Sequence, residues 1–171
     1  DSLLQYDNGA GAPRQLALGQ FRWTIIRRED RLGVRFRNLR HPALMHFSGA
    51  ERFDPDTSLR FRAKVISARR NLSFQNVLGQ QVSNSSPGSV EFMYQGKTWK
   101  LDVLYEEPEG WLIVFGDATT GESTYTGGRF VYVQPPGADG FTELDFNNAI
   151  NPPCAFTPFA TCPLPPPQNV L

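Results

Sequence analysis

The chain has 171 residues, 40% of them apolar and 20% charged, with seventeen Lys and Arg against seventeen Asp and Glu. That balance belongs to a globular chain able to bury roughly 70% of its unfolded surface, and it excludes disordered and fibrous classes. No run reaches the roughly 20 apolar residues of a membrane helix, and a pI of about 6.9 disfavours nucleic acid as the partner.

The zero net charge conceals two opposed halves. Residues 1 to 70 carry fourteen Arg and Lys against seven acids, a net +7, and residues 71 to 171 carry three against ten, a net −7. Halves of this kind attract each other within one fold, or else present an anion-binding face. Arg outnumbers Lys fourteen to three, and the guanidinium fork suits carboxylate or phosphate.

Taken in chain order, residues 1–19 are read as the remnant of an upstream segment, and 20–171 as one β domain. Apolar residues at alternate positions mark half-buried strands. Phe21, Trp23 and Ile25 share one face of the first, and after the polar turn Arg28-Glu29-Asp30-Arg31 the residues Leu32, Val34 and Phe36 are expected to face inward, which makes a hairpin. His41 to Phe47 invites a short helix, with Pro42 in its first turn. Leu59, Phe61, Ala63 and Val65 alternate with Arg60, Arg62 and Lys64, and Leu72 to Gln80 reads as a further strand. Val90, Phe92 and Tyr94 precede Gln95-Gly96, and Trp99, Leu101, Val103 and Tyr105 follow it. A two-residue turn there sets Phe92 opposite Trp99, Val90 opposite Leu101 and Glu91 opposite Lys100. Trp111 to Phe115, Arg129 to Gln134 and Thr142 to Phe146 complete a set of about nine strands. The fold class is therefore all-β, an antiparallel barrel or two-sheet sandwich.

The last 25 residues, 147–171, depart from this pattern. "NPPCAFTPFATCPLPPPQN" has two cysteines, seven prolines and no charge. Proline fixes φ and removes an N–H donor, so the segment is suited to lie as an extended strap without helix or sheet, covering apolar surface through Phe156, Phe159 and Leu164. Cys154 and Cys162 are compatible with a disulfide, with two small buried hydrophobes or with a nucleophile. Neither they nor His41 and His46 have zinc-finger spacing, so no metal is expected.

Two segments concentrate polar residues beside strand ends. "FGDATTGESTYTGGRF" brings Asp117, Tyr125 and Arg129 into one loop, where Asp117 with Thr119 has ordinary turn chemistry and Arg129 suits an anion. "LDFNNAINPPC" brings Asp145, Asn147 and Asn151 up to Cys154. GxSxG, phosphate-loop, GxGxxG, HExxH and EF-hand patterns are all absent, so no cofactor is expected.

On "FGDATTGESTYTGGRFVY" and "LDFNNAINPPCAFTPFATCPLPPPQNVL", and more loosely on "FRWTIIRREDRLGVRFRN", "HPALMHF" and "VLGQQVSNSSPGSVEF", the chain resembles an uncharacterised, mainly bacterial family, domain of unknown function 1684, from about Gln20 to the last residue. That family typically has an aromatic residue where Ile150 stands and Ala-Gly where Gly127-Gly128 stands. The resemblance implies a β fold and lends Asp117, Tyr125, Arg129, Asp145, Asn147, Asn151, Cys154 and Cys162 weight as motif positions, with no roles assigned.

The expected function is a binding module for a small anionic molecule or peptide, with its cleft between the 117–129 loop and the 147–162 segment. The rival readings are a hydrolase or transferase using Cys154 or the Asp117 and Asp145 pair, and an interaction or nucleic-acid module using Arg35, Arg37, Arg60, Arg62 and Lys64. A soluble chain is expected, with a cytoplasmic location preferred over the cell envelope.

Overall fold

The computed structural model describes residues 14–28 and 31–171, which fall into two compact units divided between Arg52 and Phe53. The turn residues Glu29 and Asp30, and residues 1–13 of the expected upstream remnant, lie outside the described residues.

In the first unit β1 (Gln15–Leu18), β2 (Phe21–Arg28) and β3 (Arg31–Asn38) form an antiparallel meander. Trp23 pairs with Phe36 and Ile25 with Val34, as the alternation requires, and the Phe21 and Phe36 rings stack at 5.3 Å. One expectation is corrected here: Leu32, Val34 and Phe36 are 59%, 59% and 60% exposed rather than turned inward. Among the described residues of its unit, this three-stranded sheet has no second sheet to cover its apolar face. The short helix α1 is Pro42–Met45, with Pro42 in its first turn and the His41 side chain accepting from the Ala43 N–H as its cap.

The second unit is built on a long hairpin, β4 (Arg60–Gln75) with β5 (Gln81–Tyr94). β6 (Lys97–Asp102) extends it on one side and β10 (Phe141–Asp145) on the other, giving the order β10-β4-β5-β6. The Gln95-Gly96 turn is as read from sequence: both residues have positive φ, 50° and 75°, and Phe92 faces Trp99, Val90 faces Leu101 and Glu91 faces Lys100. A second sheet, β7-β8-β9, comprises Tyr105–Glu107, Gly110–Phe115 and Arg129–Val133. Both sheets keep open edges and no closed barrel forms, so the all-β expectation holds as layered sheets.

A bend in the hairpin explains how the layers meet. The β4/β5 register shifts between Ser67 and Arg70, opposite Gly88, where an added Cβ would lie 2.1 Å from the Ile66 carbonyl oxygen. Only glycine allows that approach. Before the bend, Ala63, Val65, Val90 and Phe92 pack with Leu101, Trp111, Ile113, Phe115, Val131 and Leu144 in one core. Beyond it, Leu72 and Phe74 pack with Leu112, Val114, Phe130 and Cys162 in another. The hairpin thus contributes to cores on both faces of the second sheet, and every residue of β8 is buried. Each large side chain so buried contributes about 1.5–3 kcal/mol. The expected strand Leu72 to Gln80 is corrected: pairing ends at Gln75 and Asn76 turns the chain, its Oδ1 accepting from the Leu78 and Gln80 N–H groups at 2.9 and 3.1 Å.

The proline-rich tail is fastened at three places. Phe130 and Ile150 exchange both backbone hydrogen bonds, at 2.9 and 2.8 Å. Leu164 N–H donates to Gln75 O and Val77 N–H to Cys162 O. Finally Gly116 N–H donates to Asn169 O and Leu171 N–H to Gly116 O. Contrary to expectation Phe159 covers nothing and is 82% exposed, and Phe156 is exposed too; the buried tail residues are Pro152, Cys162, Pro166 and Asn169.

Asn169 is wholly buried. Its Oδ1 accepts from Asp102 N–H at 2.7 Å, and its Nδ2 donates to Asp102 O and Val114 O, both at 2.9 Å. The side chain therefore spans the gap between β6 and β8. Asn169→Ala strands three buried backbone groups, and we expect a loss of about 3 kcal/mol or more in chemical denaturation.

Candidate functional site

The charge asymmetry resolves largely into internal pairing. Arg60, Arg62, Arg69 and Arg70 pair with Glu143, Asp139, Glu106 and Asp102, so four cations of the positive half meet four acids of the negative half within the second unit. Three of these pairs are exposed and contribute little. In the fourth, the Asp102 side chain is 4% exposed, held by Arg70 and by Gln168 Nε2 at 2.8 Å. Arg60 and Arg62, with Phe61, Phe141 and Glu143, also line a surface depression of about 500 Å³, which includes none of the eight candidate residues.

The loop between β8 and β9 holds the first candidate group. Asp117 Oδ1 accepts from the Thr119 N–H at 2.9 Å and hydroxyl at 2.5 Å, and its Oδ2 pairs with Arg129. Arg129 also reaches Thr119 Oγ1 at 3.3 Å and lies over the Phe115 ring, 4.9 Å from its centre. The two charged side chains are 25% and 15% exposed. The Arg129 Nε–H is buried with no acceptor among the described residues. Turn chemistry and an ion pair thus coexist at Asp117, and Thr119, not among the candidates, joins them. Thr119 was legible only as a hydroxyl two residues after an acid.

The second group forms where this loop meets the tail. Tyr125 lies against Cys154, and hydrogen bonding to that thiol, then loss of water and the charge of both sulfurs, pushes the phenol pKa up to about 12. Cys154 N–H donates to Cys162 Sγ at 3.2 Å, and both thiols are free. Burial first, and then the neighbouring Cys154, pushes the Cys162 pKa up to about 11. Glycine at 127 permits this packing, since an added Cβ would meet the Tyr125 ring at 2.5 Å. At Gly128, φ is +79° and a Cβ would meet Pro165 Cγ at 2.4 Å, so the loop and the tail touch through a residue with no side chain.

Asp145 and Asn147 lie elsewhere and have a structural task. Asp145 Oδ1 accepts from Asn147 N–H, while Asn147 Oδ1 accepts from Asp56 N–H at 2.7 Å and its Nδ2 donates to Asp56 O at 2.9 Å. The amide fastens the chain ahead of β4. Asn151 makes no side-chain hydrogen bond among the described residues, and its backbone follows the Phe130–Ile150 bridge. No hydrogen bond joins Asp117 to Asp145. The second unit contains no histidine to partner Cys154, and its described residues hold no group of three or more His, Cys, Asp or Glu arranged to bind a metal.

Residues 45–171 match the family model described as protein of unknown function DUF1684. The chain belongs to that family. The match takes in all eight candidates and the whole tail, while the first hairpin lies ahead of it. Among solved structures, an uncharacterised protein of Haloarcula marismortui, determined by solution NMR, is 30% identical, with a TM-score of 0.60; the likeness covers 74% of this chain and 73% of that one. No curated protein matches the chain. No helix among the described residues is long and apolar enough to cross a membrane.

The raised Cys162 pKa gives two expected outcomes. With iodoacetamide near neutral pH, the partly exposed Cys154 is alkylated before Cys162, as read by peptide mapping. The fold favours the protonated Cys162 thiol, so this contribution to stability is complete below the ordinary value of 9.0 and is lost as pH rises towards about 11. In reductant, the melting temperature of the Cys162→Ala variant should fall less than that of the wild type over this range.

Proposed function

We propose that the second unit is a binding domain for a small anionic molecule or the carboxylate of a peptide, taken at the junction of the 117–129 loop and the 147–162 segment. Arg129 is the anion partner in this reading, and Tyr125, whose phenol lies against Cys154, is a hydrogen-bond donor from the tail side. The observation that carries it is the state of Arg129, whose guanidinium is largely buried, shares Asp117 with Thr119 and keeps its Nε–H without an acceptor.

A buried donor left unpaired costs about 1–3 kcal/mol. A bidentate carboxylate or phosphate reaching the guanidinium supplies the missing acceptor and competes with Asp117 for the remaining N–H groups. Asp117 then acts as the resident stand-in for the ligand's charge, retained by the two Thr119 donors when the ligand is away. The self-bonded turn at 117–124, in which Thr119 O accepts from the N–H groups of Glu122, Ser123 and Thr124, keeps this arrangement rigid. A rigid site loses little entropy on binding.

The test is a thermal-shift and calorimetric screen of phosphate, short-chain mono- and dicarboxylates and peptides with free carboxyl termini. A ligand at a hundred times its Kd should stabilise the wild type by about 2.7 kcal/mol. The Arg129→Met variant should lose that shift, and Asp117→Asn, which removes the competing charge, should bind several-fold more tightly. Equal stabilisation of the wild type and the Arg129→Met variant would refute the assignment.

A further inference from the structure

Cys154 and Cys162 are separated by seven residues and fold back on each other. The Cys154 backbone N–H lies 3.2 Å from Cys162 Sγ. Adding the covalent path from each of those atoms to its own Cα bounds the Cα separation at about 7.5 Å, while disulfides span ~4.4–6.8 Å. Both ends are anchored independently of the sulfurs. Ala155 N–H donates to Pro152 O at 2.9 Å on one side, and Val77 N–H donates to Cys162 O at 3.0 Å on the other. The loop between them carries Phe159 into solvent, while Ala160 packs against the second core. Cys162 is buried in the second core, whereas Cys154 is partly exposed beside Tyr125.

We infer that Cys154 and Cys162 are a reversible dithiol–disulfide pair, oxidised by low-molecular-weight disulfides, in which Cys154 is the attacking and Cys162 the resolving thiol. In the first step Cys154 gives its proton to solvent. Its thiolate attacks one sulfur of glutathione disulfide, forming a mixed disulfide and releasing one glutathione thiolate. In the second, Cys162 Sγ attacks Cys154 Sγ. The S–S bond to glutathione breaks, the second glutathione leaves as thiolate, and the Cys162 proton passes through solvent to a released thiolate. Two protein thiols are oxidised and one glutathione disulfide is reduced to two thiols. The order follows from exposure, because glutathione reaches Cys154 and not the sulfur inside the core. The product staples together the two ends of the tail loop that carries Phe159.

The test uses the reduced 171-residue chain with millimolar glutathione disulfide at pH 8, followed by non-reducing mass spectrometry. The expected product has lost two hydrogens, yields a crosslinked peptide containing both cysteines, migrates as a monomer, and returns to the dithiol with dithiothreitol. Closing so short a loop should raise the melting temperature by roughly 5–10 °C. Cys162→Ser should stop at a stable glutathione adduct on Cys154, and Cys154→Ser should resist modification while folded. A wild-type adduct that never resolves, an intermolecular dimer, or oxidation seen only in denaturant would each overturn the assignment. Equally fast glutathionylation of the Cys154→Ser variant would overturn the order of attack.

Discussion

The second unit depends on a carboxamide two residues before its last. Asn169 satisfies both the N–H and the C=O of Asp102 at the end of β6 and the carbonyl of Val114 near the end of β8. Those strands belong to different sheets, and a backbone group left between sheets has no ladder to join. The tail is thus the joint between the two layers, and its prolines suit that position. A segment that follows neither sheet for long has no use for extra donors, and fixed φ values limit the freedom it loses on docking.

The bend in the β4/β5 hairpin is the complementary device. A straight pair of strands covers one face of its neighbour, but the shift between Ser67 and Arg70, opposite Gly88, lets Leu72 and Phe74 reach the far side of β8. Tail and hairpin meet there: Cys162 packs beside Leu72 and Phe74, and across the same corner Val77 N–H donates to Cys162 O and Leu164 N–H to Gln75 O. The loop carrying Asp117, Tyr125 and Arg129 leaves the protected strand and is pressed against the tail at Gly128 and Pro165. The polar cluster is therefore positioned by the parts of the chain with the least regular structure.

How much of this was legible in the sequence depends on the range of the interaction. The Gln95-Gly96 register follows from period two and turn chemistry, which are local, and it holds to the residue, while strand bounds shift and Tyr105, read together with Trp99, begins β7 in the other sheet. Leu72 to Gln80 was overextended because Asn76 ends the strand with its own side chain, a choice that alternation does not encode. Leu32, Val34 and Phe36 read as inward because apolar alternation names a face, while a cover for that face has to come from elsewhere. In the candidate site, Asp117 with Arg129 and Tyr125 with Cys154 and Cys162 do come together, but Asp145 and Asn147 serve a clamp on Asp56 that lies 91 residues from Asn147 in sequence. Asn169, Gln168 and Asp102 gave one faint signal, two amides in an otherwise apolar, charge-free ending.

The position of that joint, 54 residues after the end of β8, also orders events during synthesis. β8 is buried between partners made before it and a tail made after it, so the layers cannot be closed until Asn169 and Leu171 have left the ribosome. Until then Val114 and Gly116 have no lasting partners on that side. The domain therefore closes only once residues 169–171 have cleared the exit tunnel, and a nascent chain stalled before them would expose β8, buried along its whole length in the finished fold, to the chaperones of its cell.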